Sequence, residues 1–190
     1  MTLTTTAVPI EVASELSQKA LDHITVLLED GHTHNLESIL EFLAEFNSDD
    51  FLAYYEDYEK LSPATQEFIR DNADSYAIDD MLEFIQEHGE ADFVKFYDDY
   101  IIYSEKLGHN GYEIIDAFVA LMGGFHDIDK AEEMYEGEYS TDAAFAEDYY
   151  EKLGVDIHWA LVIDWEATYE SSLRFDYNSD NDHYFCTSFW

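Results

Sequence analysis

Forty-four Asp and Glu residues in a chain of 190 make metal binding or acid–base chemistry easy to imagine, so spacing must decide which candidates are credible. Asp176, Asn178, Asp180 and Asp182 alternate as the first ligands of an EF-hand loop do. Asn181, however, stands where glycine makes the turn, and Thr187 where a bidentate Glu closes the site. The segment reads as an acidic turn. A di-iron carboxylate bundle needs two Glu-x-x-His pairs on facing helices. Only Glu29 to His32 has that spacing, and Gly31 within it marks a helix end. His32 and His34 could chelate zinc together, yet no cysteine or second histidine pair lies nearby at ligand spacing. Adjacent carboxylates such as Asp79-Asp80 and Asp98-Asp99 point away from each other on a helix, which defeats shared proton transfer. Gly-x-Ser-x-Gly, Walker, Gly-x-Gly-x-x-Gly and His-Glu-x-x-His motifs are absent. The single cysteine, Cys186, reads as strand packing. The expectation is therefore a protein without catalysis, metal or cofactor.

What remains is the charge itself. Eight Lys and Arg against 44 acids give a formal net charge of −36. Such a chain lacks the basic groups that bring a protein to nucleic-acid phosphates or to an anionic membrane. It also carries 13 Phe, 15 Tyr and 3 Trp, far more large apolar surface than acidic disordered tails have, so it folds. Residues 1–34 hold 5 acids and 1 base, 35–107 hold 20 and 4, and 108–190 hold 19 and 3. No acidic run exceeds two residues; instead acids interleave with tyrosine in Tyr54-Tyr55-Glu56-Asp57-Tyr58-Glu59, Tyr97-Asp98-Asp99-Tyr100 and Glu147-Asp148-Tyr149-Tyr150-Glu151. On a helix this puts the apolar edge of tyrosine toward the core and the acids outward at three- and four-residue spacing. Each like-charge pair at that spacing costs a few tenths of a kcal/mol, so the pattern calls for a purpose. Duplex DNA carries about one charge per 1.7 Å of axis, and −36 corresponds to the phosphates of roughly 18 base pairs. A folded protein of acidic helices could present a DNA-like field to a protein built to grip DNA. Asp49, Asp50, Glu56, Asp57, Asp98, Asp99, Glu132, Glu133 and Glu136 are candidate members of that surface. Two other readings of the acidity are adaptation to a saline cytosol and a histone- or cation-binding module, although such modules usually carry unbroken acidic runs as flexible tails.

The elements that must position these acids are mostly helical. Val12, Leu16, Ala20, Ile24, Leu27 and Leu28 recur at helical steps, with Gly31 as the stop. Leu36, Ile39, Leu40, Leu43 and Phe46 predict a second helix, Ser48 caps a third through Tyr58, and Ser62-Pro63 opens a fourth. Ile78, Met81, Leu82 and Ile85 predict a helix closed by Gly89. Phe93 to Tyr103 suits either strand or helix, with helix favoured. Ile114 to Met122 form a helix ended by Gly123-Gly124, and another short helix is expected over Asp129 to Tyr135. Ser140-Thr141-Asp142 caps a helix reaching Leu153 with Gly154 as its stop, and Asp164 caps a last one through Leu173. The aromatic tail from Asp182 to Trp190 reads as a strand. The class is mainly α with a small α+β C-terminal domain. The start, Met1 to Ile10, lacks the features of a signal peptide, and no stretch approaches 18 apolar residues. A soluble protein of the cytoplasm is expected.

The segment Gly137, Tyr139, Ser140, Asp142, Phe145 and Ala146, the acidic helix to Gly154, Ile163-Asp164-Trp165-Glu166-Ala167, and Leu173 to Tyr177 before the aromatic strand together resemble the C-terminal domain of ArdA-type antirestriction proteins. The resemblance covers about residues 108–190, with 62–107 corresponding loosely to the family's middle domain and 1–61 forming an N-terminal helical region without the family's usual start. It implies an elongated, dimeric DNA mimic, encoded by a phage or mobile element, that occupies the DNA-binding groove of type I restriction–modification enzymes in the host-cell cytoplasm. Carried over residue by residue, it points to Glu138, Asp142, Glu147, Asp148, Glu151, Asp164 and Glu166. The alternative is an acidic binding module for another basic protein, such as a CRISPR effector, a histone-like protein or a nucleoid protein.

Overall fold

A computed structural model describes residues 16–29, 35–158 and 160–188. Val12, Gly31, His32, His34 and the end of the tail at Trp190 lie outside the described residues. Packing groups the chain into two compact units, Met1–Lys95 and Phe96–Trp190. The mainly helical class with a small C-terminal sheet is the architecture found.

The first unit holds α1 (Gln18–Glu29), α2 (Leu36–Glu45), α3 (Ser48–Glu59), α4 (Pro63–Asp71), α5 (Ile78–His88) and the start of α6 (Glu90–Leu107). The central helix is α3, which packs on α1, α2 and α5. Its Phe51 and Tyr55 are each only 1% exposed. Their rings meet Phe42 of α2 at centroid distances of 6.2 and 5.4 Å. The helix starts are fixed locally by side chains that take up otherwise unbonded N–H groups. Asn35 accepts from Ser38 N–H, and Ser62 from Thr65 N–H with Pro63 in the first turn. The expected Ser48 cap falls one residue early: Asn47 accepts from the N–H groups of Asp49 and Asp50, and Ser48 is the first helical residue. The start of α4 is tied to α6 by Glu90, whose carboxylate accepts from Ser62 N–H at 2.8 Å and Thr65 Oγ1 at 2.5 Å. Those bonds hold the Glu90 carboxyl below its ordinary pKa. The ambiguous Phe93 to Tyr103 segment is helical, as favoured, and its Phe93 packs against Phe68 and Phe84.

The second unit continues with α7 (Gly111–Met122), a 3-10 turn at Ile128–Lys130, α8 (Ala131–Met134), β1 (Tyr135–Glu138), α9 (Asp142–Lys152), α10 (Trp165–Thr168) running into a π-helical turn at Tyr169–Leu173, then β2 (Tyr177–Asp180) and β3 (His183–Cys186). The helix expected over Asp129 to Tyr135 is thus shorter, because Tyr135 leaves it to begin β1. Sheet order is β1-β3-β2, antiparallel throughout. Alternate residues of a strand face opposite sides, and here both sides of the central strand are covered. Phe185 meets Phe118 of α7 at 5.5 Å, whereas Tyr184 stacks on Phe145 of α9 at 4.6 Å. All four β3 residues, Cys186 included, are consequently buried, as strand packing requires. The Asp176 to Asp182 segment is no simple acidic turn. Tyr177 to Asp180 form β2, and Asn181 and Asp182, at φ of 46° and 66°, make the two-residue turn into β3.

Candidate partner-binding surface

Each interleaved acid–tyrosine segment divides as its periodicity demands. In α3, Tyr55 is buried while Glu56 and Asp57 are exposed, and in α6, Tyr97 and Tyr100 are buried while Asp98 and Asp99 between them face solvent. In α9, Phe145 and Ala146 enter the core, Tyr149 and Tyr150 pack against it, and Glu147 and Glu151 are exposed one turn apart. Ring burial thus holds the carboxylates outward, and the apolar area removed from water offsets the repulsion between them.

Few bases face this field. Lys60 pairs with Asp57 at 2.8 Å, Lys130 with Asp127 at 2.7 Å, Lys152 with Asp148 at 2.8 Å and Arg174 with Glu170 at 2.6 Å. All four partners lie three or four residues away on the same stretch of chain. Arg70 reaches Glu41 of α2 at a looser 3.8 Å. The first four each cancel a nearby acid, whereas the Arg70 contact is loose.

With bases so scarce, two tyrosine hydroxyls in the second unit serve as donors to carboxylates. Tyr184 donates to Asp142 Oδ1 at 2.6 Å, and Tyr139 to Asp148 Oδ2 at 2.5 Å, with Lys152 Nζ 3.1 Å from the same hydroxyl. Donation by Lys152 and then by Tyr139 holds the Asp148 carboxyl below its usual range. Burial first, and the bond to Asp148 second, push the Tyr139 phenol up. Burial likewise raises Tyr184, with Asp142 adding to it, and lifts Tyr169 to about 12.

The candidate acids accordingly fall into two kinds. Asp142 and Asp148 hold tyrosines in the second unit, Asp164 caps α10 by accepting from Ala167 N–H at 3.0 Å, and Asp57 is neutralised by Lys60. Asp50 accepts from Asn47 Nδ2 at 2.6 Å, and Glu56 lies 3.5 Å from His23 of α1. Asp49, Asp98, Asp99, Glu132, Glu133, Glu138, Glu147, Glu151 and Glu166 are exposed, and Glu136 is half-buried in β1. The first unit brings Asp49, Asp50, Glu56 and Asp57 together on α3; the second carries the others from Asp98 onward.

Two further acidic stripes belong with them. Glu37, Glu41 and Glu45 on α2, and Asp79, Glu83 and Glu87 on α5, are all exposed and repeat every four residues. Neither stripe interleaves with tyrosine, and the four-residue spacing alone marks them in the sequence.

Among the described residues no group of His, Cys, Asp and Glu could hold a metal ion. No described helix is long and apolar enough to cross a membrane. Compared with protein families, with curated proteins and with solved structures, the chain finds no match.

Proposed function

We propose that the chain is an antirestriction DNA mimic that binds the DNA-binding groove of a type I restriction–modification enzyme. It acts as a dimer in the host-cell cytoplasm, without catalysis or cofactor. The observation that carries this reading is the exposure of acids in four-residue stripes, while four bases pair with acids three or four residues away and Arg70 meets the α2 stripe only at 3.8 Å from Glu41. Four residues of helix rise about 6 Å, so one stripe has somewhat over half the charge density of a DNA strand with its phosphate per ~3.4 Å. Two neighbouring stripes match one strand. The target class comes from the resemblance of residues 108–190 to ArdA-type proteins, and the electrostatics supply the means: long-range attraction accelerates encounter with a groove lined by bases and weakens as salt screens it.

Competition tests this reading. A type I methyltransferase core on its labelled DNA site, titrated with the protein at two salt concentrations, should release DNA near one protein dimer per enzyme, less readily at higher salt. Retention of DNA at saturating protein would overturn the proposal and favour a basic partner engaged away from any DNA groove.

A further inference from the structure

Within the first unit, α2, α3 and α4 line a partly open cavity of about 320 Å³, a size that suits a small ligand. One wall is aromatic. Phe42, Phe46 and Tyr58 meet there, with centroids 4.6 Å apart for Phe42–Phe46, 5.1 Å for Phe42–Tyr58 and 6.3 Å for Phe46–Tyr58. Phe46 and Tyr58 are only half-buried, so their surfaces are within reach of solvent. Glu41 and Glu45, one turn apart on α2 and both exposed, line the same cavity.

We propose that this cavity binds an organic cation, with an alkylammonium or guanidinium head against the aromatic wall and its charge met by Glu41 and Glu45. Aromatic faces attract cations through their quadrupole, and carboxylates at the rim add a charge-assisted hydrogen bond. The chain already places one cation at this cavity. Arg70 also lines it, yet its guanidinium stays 3.8 Å from Glu41, beyond the 2.7–2.9 Å of a close ionic bond. Three charges converge on one ring: after burial, Arg70 lowers the Tyr58 phenol pKa while Glu41 and Glu45 raise it. Glu59 of α3 adds a third carboxylate to the lining, and among the described residues no group of His, Cys, Asp and Glu could hold a metal ion.

Such a head group has two sources, a free polyamine or a basic side chain of a protein. Amide spectra of the full-length ¹⁵N-labelled protein, titrated separately with spermidine and with N-acetyl-argininamide at constant ionic strength, distinguish them. Saturable shifts confined to the neighbourhood of Phe42, Phe46 and Tyr58 are expected. Tighter binding of spermidine identifies a polyamine site, and tighter binding of the arginine compound a side-chain site. Combining Glu45→Gln with Phe46→Leu should weaken binding at least about tenfold. Glu45→Gln alone, on an exposed side chain the fold does not need, should weaken it about threefold. Glu132→Gln, which removes the same charge from the second unit, should leave it unchanged. Shifts that never saturate and spread over the acidic surface, or equal weakening by Glu132→Gln, would overturn the proposal in favour of a diffuse counterion atmosphere. Enzyme inhibition is not involved in this readout, so the inhibitor proposal and this one fail separately.

Discussion

At the scale of single residues, some acids in this protein hold other groups in place, and some of those, such as Asp164, do so while facing solvent. Asp148 holds Tyr139 and Lys152, so Asp148→Asn is expected to cost about 1 kcal/mol at neutral pH, the range for a partly exposed ion pair with one additional hydrogen bond. The pH dependence has a definite sign. Because folding lowers the Asp148 pKa, its contribution is present above the unfolded carboxyl value of about 3.9 and disappears as pH falls through the folded one. Melting curves of wild type and variant should therefore differ at pH 7 and draw together as pH falls through the folded-state value; a constant gap would assign the loss to packing. Glu147 and Glu151, exposed on the same helix, are the cleaner sites for probing partner binding.

At the scale of elements, the close contact of α6 and α7 is set by a residue without a side chain. A Cβ on Gly111 would lie 1.8 Å from the Ser104 carbonyl oxygen, which is backbone and cannot turn aside. Gly111→Ala is expected to destabilise the second unit by about 3 kcal/mol, the upper range for overpacking, seen as a fall of about 10 °C or more in its melting temperature. No sequence signal distinguished this glycine from its neighbour Gly108 in the same turn. The helices were legible because their determinants are local: Thr141 caps α9, Asp164 caps α10, and Gly123 ends α7 in the left-handed conformation. The strands were less so. β1 and β2 are as short as β3 but lack its aromatic pair Tyr184-Phe185, and they exist because β3 pairs with both. Asn181 and Asp182 are legible afterwards as a hairpin turn, having first resembled the middle of a calcium loop.

At the scale of the whole molecule, a net charge of −36 makes self-repulsion a general tax on the folded state, and salt relieves it by shortening the screening length. Melting temperature should rise between low and 0.5 M NaCl; a flat response would mean that the exposed carboxylates are too far apart to interact. Inhibition should be distributed in the same way. Neutralising Glu147 alone is expected to change affinity by less than about threefold, whereas neutralising five or six exposed acids together should abolish inhibition; complete loss from one conservative change would replace the distributed field with a small hot spot. The charge, the aromatic content, most of the helix caps and the outward direction of Glu56, Asp57, Asp98, Asp99, Glu147 and Glu151 follow from the sequence alone, because composition and three- to four-residue spacing act within a single turn of helix. Only the tertiary structure decided which acids stay on the surface and which serve the fold: Asp142 and Asp148 are committed by tyrosines 42 and 9 residues away in the chain, and the cavity beside Tyr58 exists because three helices meet around it. Partners so placed are chosen by packing, which no local spacing encodes.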